Sequence, residues 1–430
     1  MKLLVTGLCL SRNLGGPAMA LTLKEHLTKQ FPNLSFTYAI PDHAYGEEKK
    51  WAEYYGVDIV RRDNFISFLL ITNRLLRFVR NCYRYLKKRP LLPDVTEQLK
   101  IHDEFMRGFE ECDAVINMMG ITYVGDGTLK LINGMMSYSN LYYAKNHKKP
   151  FAHFVQSFGP FNDWKIRLLA KRDFAQVDFI PARGKESAQH CRSIVNDQSK
   201  VYDFPDIAIL LPKADSDWSA GYLKSIGLEK KNYTVLCPSS VIYQLPDSLN
   251  GSTGDKYIRA YYLIAKRLLN RSEKILFLPH TYSKNKHECD REICYKVYNL
   301  LLEDETVDHA NSKVVREDLD VWQAKSLIAE SKNAVVSRYH ALVAALSTAV
   351  PAFSIGWNIK YHDLLNYYGI SSMSVDIREK NPEQIADDAF MRIDEFKSNQ
   401  ILIDKHLENQ KKVNQAFELL GSWLQKNINE

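Results

Sequence analysis

Five basic side chains, Arg183, His280, Arg338, His340 and Lys360, stand at or just beyond the C-terminal ends of segments that read as β-strands. Gln156 and Ser157 follow another such segment. In open α/β sheets, ligands bind outside the carboxyl ends of the strands. No acidic residue is among these positions. Arginine grips carboxylate and phosphate in bidentate fashion. A helical pattern opens at His340, and a helix N-terminus adds partial positive charge and free N–H groups. The expected ligand is therefore an anion bearing carboxylate or phosphate. Each residue also has a plainer reading by itself, since a strand-end His is often structural and a lone Arg often pairs with a surface carboxylate. All five together favour a site.

Other chemistries lack their residues. The turn Asn13-Leu14-Gly15-Gly16 is not GxGxxG, and no acidic residue sits at the ribose-binding offset, so a dinucleotide site is weakly supported. GxxxxGK[ST], HExxH and GxSxG are absent, and no set of metal ligands is evident, so no metal is expected. Met118 and Met119 are read as core or rim packing, with lining of a cleft as the alternative. Seven cysteines are spread along the chain without a CxxC, which reads as reduced thiols in a cytosolic setting.

The elements that must position these residues follow from pattern. Short β-rich apolar runs at 3–6, 34–40, 114–117, 151–156 and within 175–183 alternate with helical patterns such as 17–30. A second set of strands, at 233–238, 274–280, 334–338 and 351–355, alternates with helical patterns at 257–270, 293–302 and 339–348. Such alternation means parallel sheets with helices on both faces. The 430 residues divide into an N-terminal α/β domain at 1–205, a C-terminal α/β domain at 206–395 and a helical tail at 396–430. Ile403, Leu407, Val413, Phe417, Leu420 and Leu424 give the tail helical spacing, and it is expected to pack back on the first domain. The run at 3–10 is interrupted by Thr6 and Gly7 and reads as a first strand, not a signal peptide. No stretch reaches the roughly 20 apolar residues of a membrane span.

Composition is that of a globular chain, with 45% hydrophobic and 25% charged residues. The 57 Lys and Arg exceed the 51 Asp and Glu only mildly, too little for a nucleic-acid partner. One segment departs from this balance. Residues 61–89 carry nine Lys and Arg against the single Asp63. From Arg74 onward the basic residues share one helix face, and Leu75, Leu76, Phe78, Val79, Cys82, Tyr83 and Leu86 take the other. An apolar face that wide fits an ordinary helix packed on a core. The competing reading is a peripheral contact with anionic lipid headgroups.

The sequence also resembles the polysaccharide pyruvyl transferase family. Ser337-Arg338-Tyr339-His340-Ala341-Leu342, with Val350-Pro351 and Lys360 downstream, is similar to the family's R-[LY]-H-A helix start and its later lysine. Gln156-Ser157-Phe158-Gly159-Pro160 resembles its QSxGP, and Arg183-Gly184-Lys185-Glu186-Ser187 its R-[DG]-x-E-S. Leu278-Pro279-His280 and Pro205-Asp206 also fall where the family has similar residues. Two places depart from the family. Asn13-Leu14-Gly15-Gly16-Pro17 lacks the acidic pair of N-x-G-D-E, and the Gly-rich stretch after 117 is reduced to Met118-Met119-Gly120. Both departures concern the acceptor side.

The resemblance implies two Rossmann-like domains facing a cleft, a GT-B-like fold. It also implies transfer of a carboxyvinyl unit from phosphoenolpyruvate to a sugar of a polysaccharide or lipid-linked glycan, closing a pyruvate ketal without a cofactor. Arg183, His340 and Lys360 carry over as catalytic positions. Arg338, His280, Gln156, Ser157 and Asn13 carry over as substrate-binding positions. The setting implied is cytoplasmic, or peripheral at the inner face of the membrane. Two other readings stay open: a GT-B glycosyltransferase using a nucleotide sugar, and a non-catalytic scaffold of glycan assembly at the membrane.

Overall fold

The computed structural model describes residues 1–11, 13–63, 73–88, 95–125, 128–245, 253–396 and 398–428. The chain forms two compact units. The first comprises residues 1–11, 23–204 and 415–430, and the second residues 12–22 and 205–414. A single cut at 205 therefore does not separate them. Residues 12–22 group with the second unit, and the end of the tail groups with the first.

The first unit is built on a parallel sheet of β1 (Lys2–Thr6), β2 (Ser35–Pro41), β3 (Asp58–Arg62), β4 (Ala114–Asn117) and, after the short β5 (Ile121–Thr122), β6 (Phe151–His153). Its order is β3-β2-β1-β4-β6, so the winding reverses between β1 and β4. Leu3, Leu4, Val5, Ala114, Val115 and Ile116 are all buried, as expected for strands covered on both faces. Phe105 and Phe109 of the Val95–Glu111 helix pack with Leu4, Val60 and Val115 in one core. Two further parallel pairs lie beside this sheet: β5 with β7 (Ser157–Phe158), and β8 (Ile180–Arg183) with β9 (Val201–Phe204).

The second unit carries β10 (Tyr233–Cys237), β11 (Lys274–Phe277), β12 (Ser312–Val314), β13 (Asn333–Val336), β14 (Ala352–Gly356) and β15 (Ser374–Asp376). Their order is β12-β11-β10-β13-β14-β15, all parallel, and the topological switch lies between β10 and β13. That is the doubly wound arrangement in which the loops after β10 and β13 border the ligand crevice. Tyr257, Tyr261 and Ile264 of the Thr253–Asn270 helix bury one face against Leu236, Val335 and Phe353.

The expected strands occur, and those at 151–156, 233–238, 274–280 and 334–338 are shorter than their runs. The last ladder bond of β6 runs from the Phe154 amide to the Asn117 carbonyl at 3.0 Å, and the chain then leaves extended conformation at Val155, whose φ is 39°. Within 175–183 only Ile180–Arg183 is strand. The expected alternation did not include β3, β9, β12 or β15. β12 and β15 are edge strands of three residues, too short to show a period of two. β3 carries Asp58, Arg61 and Arg62, and charge masks its pattern.

The tail forms one helix, Gln400–Ile428. Its C-terminal part packs on the first unit, as expected: Phe417 lies 4.8 Å from the His26 ring and 5.2 Å from Phe154. The Trp423 indole N–H donates to Asp178 at 2.7 Å. Ile403 and Leu407, expected on the buried face, are exposed; Leu402 and Asn409 are buried instead.

The basic segment also differs from its plainer reading. Residues 64–72 and 89 lie outside the described residues. Arg61 belongs to β3 and is held by Glu104 and Glu97 at 2.7 and 3.0 Å. Residues Arg74–Leu86 do form a helix, but its apolar side is not in a core: Leu75, Phe78 and Leu86 are 71%, 67% and 79% exposed. Among the described residues, no helix is long and apolar enough to cross a membrane.

Phe417→Ala should lower the unfolding free energy by about 3–5 kcal/mol, the usual cost of emptying a buried aromatic site. Leu407→Ala should change it by less than about 0.5 kcal/mol. Urea unfolding of the two variants tests this packing, and equal effects would refute it.

Candidate functional site

In the second unit, the strand-end residues are placed by a buried ion pair. Arg338 caps the Tyr339–Ser347 helix at the end of β13. Its Nε and Nη2 donate to the two oxygens of Asp290, at 2.8 and 2.6 Å, and Nη2 also reaches Ser240 Oγ at 3.0 Å. Asp290 is fully buried and accepts the Ser240 amide at 2.8 Å. Burial pulls the Arg338 pKa down, but the Asp290 carboxylate outweighs it and the guanidinium is held above its ordinary range. Ser337 is fixed alongside: its amide donates to the Cys237 carbonyl at 2.9 Å, and its own carbonyl accepts from Tyr361 Oη at 2.8 Å. Arg338 is thus committed to protein partners and shapes the turn after β13.

His340 lies two residues beyond. Its Nε2 is 3.4 Å from Asp206 Oδ2, and Asp206 is fully buried. Asp206 also caps the turn Ile207–Leu210, accepting from the Ala208 amide at 2.8 Å. The cluster expected to be free of acids therefore contains two, Asp206 and Asp290. Sequence reasoning noted Asp206 without a role and passed over Asp290; only tertiary contact joins these aspartates to residues far away in the chain.

The Asn13 turn belongs to this unit, not with the first α/β domain where sequence placed it. Asn13 Oδ1 accepts from the Gly15 amide at 3.1 Å, and Asn13 bridges Thr281 in an antiparallel contact. The Leu14 amide donates to the His280 carbonyl at 3.2 Å. Gly15 packs so tightly on His340 that a Cβ there would lie 2.1 Å from Nδ1. The structure thus brings Asn13, His280 and His340 together.

His280 is 3% exposed, and its Nδ1 finds no hydrogen-bond partner among the described residues. Burial, with the charges of His340 and Arg338, pushes its pKa down to about 3, so the ring is neutral at pH 7. Lys325, which sequence reasoning missed, lines a small cavity with His280, His340 and Leu14. Its Nζ donates to the Leu211 carbonyl at 2.6 Å. Burial lowers its pKa to about 7 against the opposing pull of Asp206. Lys360 sits in the first turn of the Ile359–Tyr367 helix, its amide capped by Asn358 Oδ1 at 3.2 Å. Its ammonium lies 5.3 Å from the centre of the Tyr339 ring, beside the same turn.

The first unit holds the other motif residues. Arg183 ends β8, is 4% exposed, donates from Nε to Ser157 Oγ at 3.1 Å and from Nη2 to the Gly120 carbonyl. Gln156 is fully buried, and its amide is engaged internally. Nε2 donates to His153 Nδ1 at 2.7 Å, and Oε1 accepts from Thr122 Oγ1 at 2.9 Å. Asn117 Nδ2 approaches the same His153 nitrogen at 3.2 Å, so Nδ1 is the acceptor and Nε2–H donates to Asp173 Oδ1 at 2.9 Å. This network sets the path of the 156–160 loop. Gln156 is a positioning residue here, whereas the sequence reading gave it substrate. Ser187 Oγ then joins the second motif to the first by accepting the Phe158 amide at 2.6 Å. Among the described residues, no group of three or more His, Cys, Asp or Glu could hold a metal ion.

The model of one family, polysaccharide pyruvyl transferase, matches residues 13–359. The chain belongs to the polysaccharide pyruvyl transferase family. Asn13 opens the matched range, and Lys360 lies one residue beyond it. Solved structures share the fold at low identity. Staphylococcus aureus MnaA with UDP is 12% identical with a TM-score of 0.57, over 100% of this chain and 97% of that one. Anabaena Alr3699/HepE with UDP and glucose is 11% identical with a TM-score of 0.56, over 99% and 100%. The UDP-GlcNAc 2-epimerase of Neisseria meningitidis, bound to UDP-GlcNAc, is 11% identical with a TM-score of 0.55, over 99% and 100%. These are GT-B-fold proteins, and this family member has that α/β fold with a parallel sheet in each unit.

Two outcomes test the geometry. Gly15→Ala should destabilise the protein by about 1–3 kcal/mol through overpacking on His340. His340→Ala in the same chain should recover most of that loss; a double variant no more stable than Gly15→Ala would separate the two residues. Lys325 gives a pH signature. Its folded pKa of about 7 lies below the ordinary 10.5, so between these values the unfolded chain binds more protons and stability rises with pH. Lys325→Met should remove that rise. Denaturant curves for both proteins at neutral and alkaline pH that shift in parallel would contradict the burial of the amine.

Proposed function

We propose that the protein transfers the carboxyvinyl unit of phosphoenolpyruvate to a sugar of a polysaccharide or lipid-linked glycan, forming a pyruvate ketal and releasing phosphate. The observation that carries this reading is the family match over residues 13–359, which takes in the helix start where His340 lies 3.4 Å from Asp206. Phosphoenolpyruvate carries both a carboxylate and a phosphate, the anions that strand-end cations and a helix N-terminus suit.

The scheme balances as follows. A proton adds to the methylene carbon of the donor, and the adjacent carbon becomes cation-like. A sugar hydroxyl attacks that carbon and loses its proton. The carbon–oxygen bond to phosphate breaks, and phosphate leaves. A second hydroxyl closes the ketal, its proton leaving with the phosphate. Lys360 would hold an anionic group of the donor, and His340 would move a proton or bind the departing phosphate; Arg183, in the first unit, would bind an anionic group of a substrate. Asp206 suits the protonated form of His340. His280 and Asn13 would contact substrate, and Ser157 would align Arg183. Arg338 supports the turn through Asp290. In this scheme the donor brings its own activated carbon, and the protein needs no cofactor. The setting proposed is the cytoplasm, where a lipid-linked acceptor would bring the reaction to a membrane face.

A nucleotide-sugar transferase is the second reading, because the fold relatives named above were solved with UDP or a UDP-sugar. The products separate the two: inorganic phosphate from phosphoenolpyruvate, or a nucleoside diphosphate. Incubation with phosphoenolpyruvate and a panel of free and lipid-linked glycans should yield phosphate and an acceptor heavier by one pyruvyl unit. His340→Ala should slow phosphate release by roughly 100-fold or more, the scale of general acid–base catalysis. Activity within about threefold of the parent would remove His340 from the chemistry. If phosphoenolpyruvate gives no phosphate with any acceptor and does not raise the melting temperature, a non-catalytic scaffold is favoured.

A further inference from the structure

The Arg74–Leu86 helix is made for a partner that is oily and negatively charged at once. Its start is capped locally, with Asn73 Oδ1 accepting the Leu76 amide at 3.1 Å. At 100° per residue, Leu75, Phe78, Val79, Cys82 and Leu86 form one strip. Leu75 is 71% exposed, Phe78 67%, Val79 57% and Leu86 79%. Tyr83 and Tyr85 are exposed as well. Isolated apolar side chains on a surface need no explanation, but a contiguous strip along a whole helix marks an interaction site.

The charge says which kind. Residues 73–88 contain Arg74, Arg77, Arg80, Arg84, Lys87 and Lys88 and no Asp or Glu. Arg80 and Lys87 border the strip beside Tyr83, and Arg77, Arg84 and Lys88 lie opposite it by the same angular count. A second copy of this helix would bring cations against cations and supply no counter-charge. An anionic bilayer supplies both needs: acyl chains for the strip, and phosphate headgroups for long side chains that can reach back to the interface. Tyrosines suit the boundary between the two.

We propose that this helix is a membrane-docking element that lies in the plane of an anionic bilayer, with Leu75, Phe78, Val79 and Leu86 inserted and the exposed Arg80, Lys87 and Lys88 at the headgroups. The inference is independent of the reaction proposed above. It applies to a transferase and a scaffold alike.

Full-length protein and sedimented vesicles provide the test. The protein should bind vesicles of phosphatidylcholine with phosphatidylglycerol, bind pure phosphatidylcholine far less, and come off as salt rises. Leu75→Ser with Phe78→Ser and Leu86→Ser should weaken binding by roughly tenfold or more, since the inserted apolar area is lost. Arg80→Gln with Lys87→Gln and Lys88→Gln should do the same, because each near-surface charge contributes roughly a fivefold factor. Leu75, Phe78, Leu86, Arg80, Lys87 and Lys88 are all exposed, so both triple variants should keep the parent's melting temperature. Absence of parental binding, or variants that bind as tightly as the parent, overturns the proposal. A parental dimer that only the serine variant dissociates, without vesicle binding, would assign the strip to a second copy instead.

Discussion

Arg338 and Asp290 are both taken out of water, and each is tolerable there only because of the other. A buried pair of this kind adds little net stability, yet removing one partner costs about 3–5 kcal/mol because the other charge is stranded. Its value lies in placement. Asp290 begins the Asp290–Leu302 helix, Ser240 follows β10, and Arg338 follows β13. One guanidinium therefore ties together segments on both sides of the topological switch. His340 sits two residues on, its backbone set by the turn that Arg338 caps. Gly15 must lack a side chain for the N-terminal turn to close on that ring.

The same reasoning explains why an acid-free cluster of five cations could not have been the folded arrangement. Uncompensated burial of several positive charges would be far more costly than the few kcal/mol by which domains are stable. The second unit meets this in three ways. Arg338 is paired with Asp290, and Asp206 stands at His340. His280 is neutral, and Lys325 is driven toward neutrality by burial. Lys360 rests against an aromatic ring at the edge of the turn. The groups left in the second unit that the proposed reaction could use are His340, with Asp206 3.4 Å away, and Lys360.

Much of this was legible in the sequence, and the rest was not for definite reasons. Central strands such as β1, β4, β10 and β13 are continuous apolar runs, and they announce themselves. Edge strands of three residues do not. The helix start at Tyr339 and the strand-end positions of Arg183, His280, Arg338 and His340 were readable because strand and helix periods change there. Asp290 was not, since its meaning depends on Arg338, forty-eight positions later in the chain. Gln156 looked like a ligand-binding residue by motif; its buried amide, bonded to His153 and Thr122, makes it part of the support for the loop that carries Ser157. Type and spacing expose which residues matter, while the division between contact and support is a tertiary property.

Net charge hid the most unusual element of the molecule. The chain carries +6 overall, and residues 73–88 alone hold six Lys and Arg without an acid, so the rest of the chain taken together sums to zero. The basicity is therefore a local feature of one helix, not a field that draws anions to the molecule at large. Screening limits such a patch to roughly 8 Å at physiological salt. It acts on a surface that comes into contact with it, and the apolar strip on the same helix acts at the same range. The proposed recruitment to a charged interface and the proposed chemistry at His340 are thus separate electrostatic problems, since the helix and His340 lie in different units of the chain.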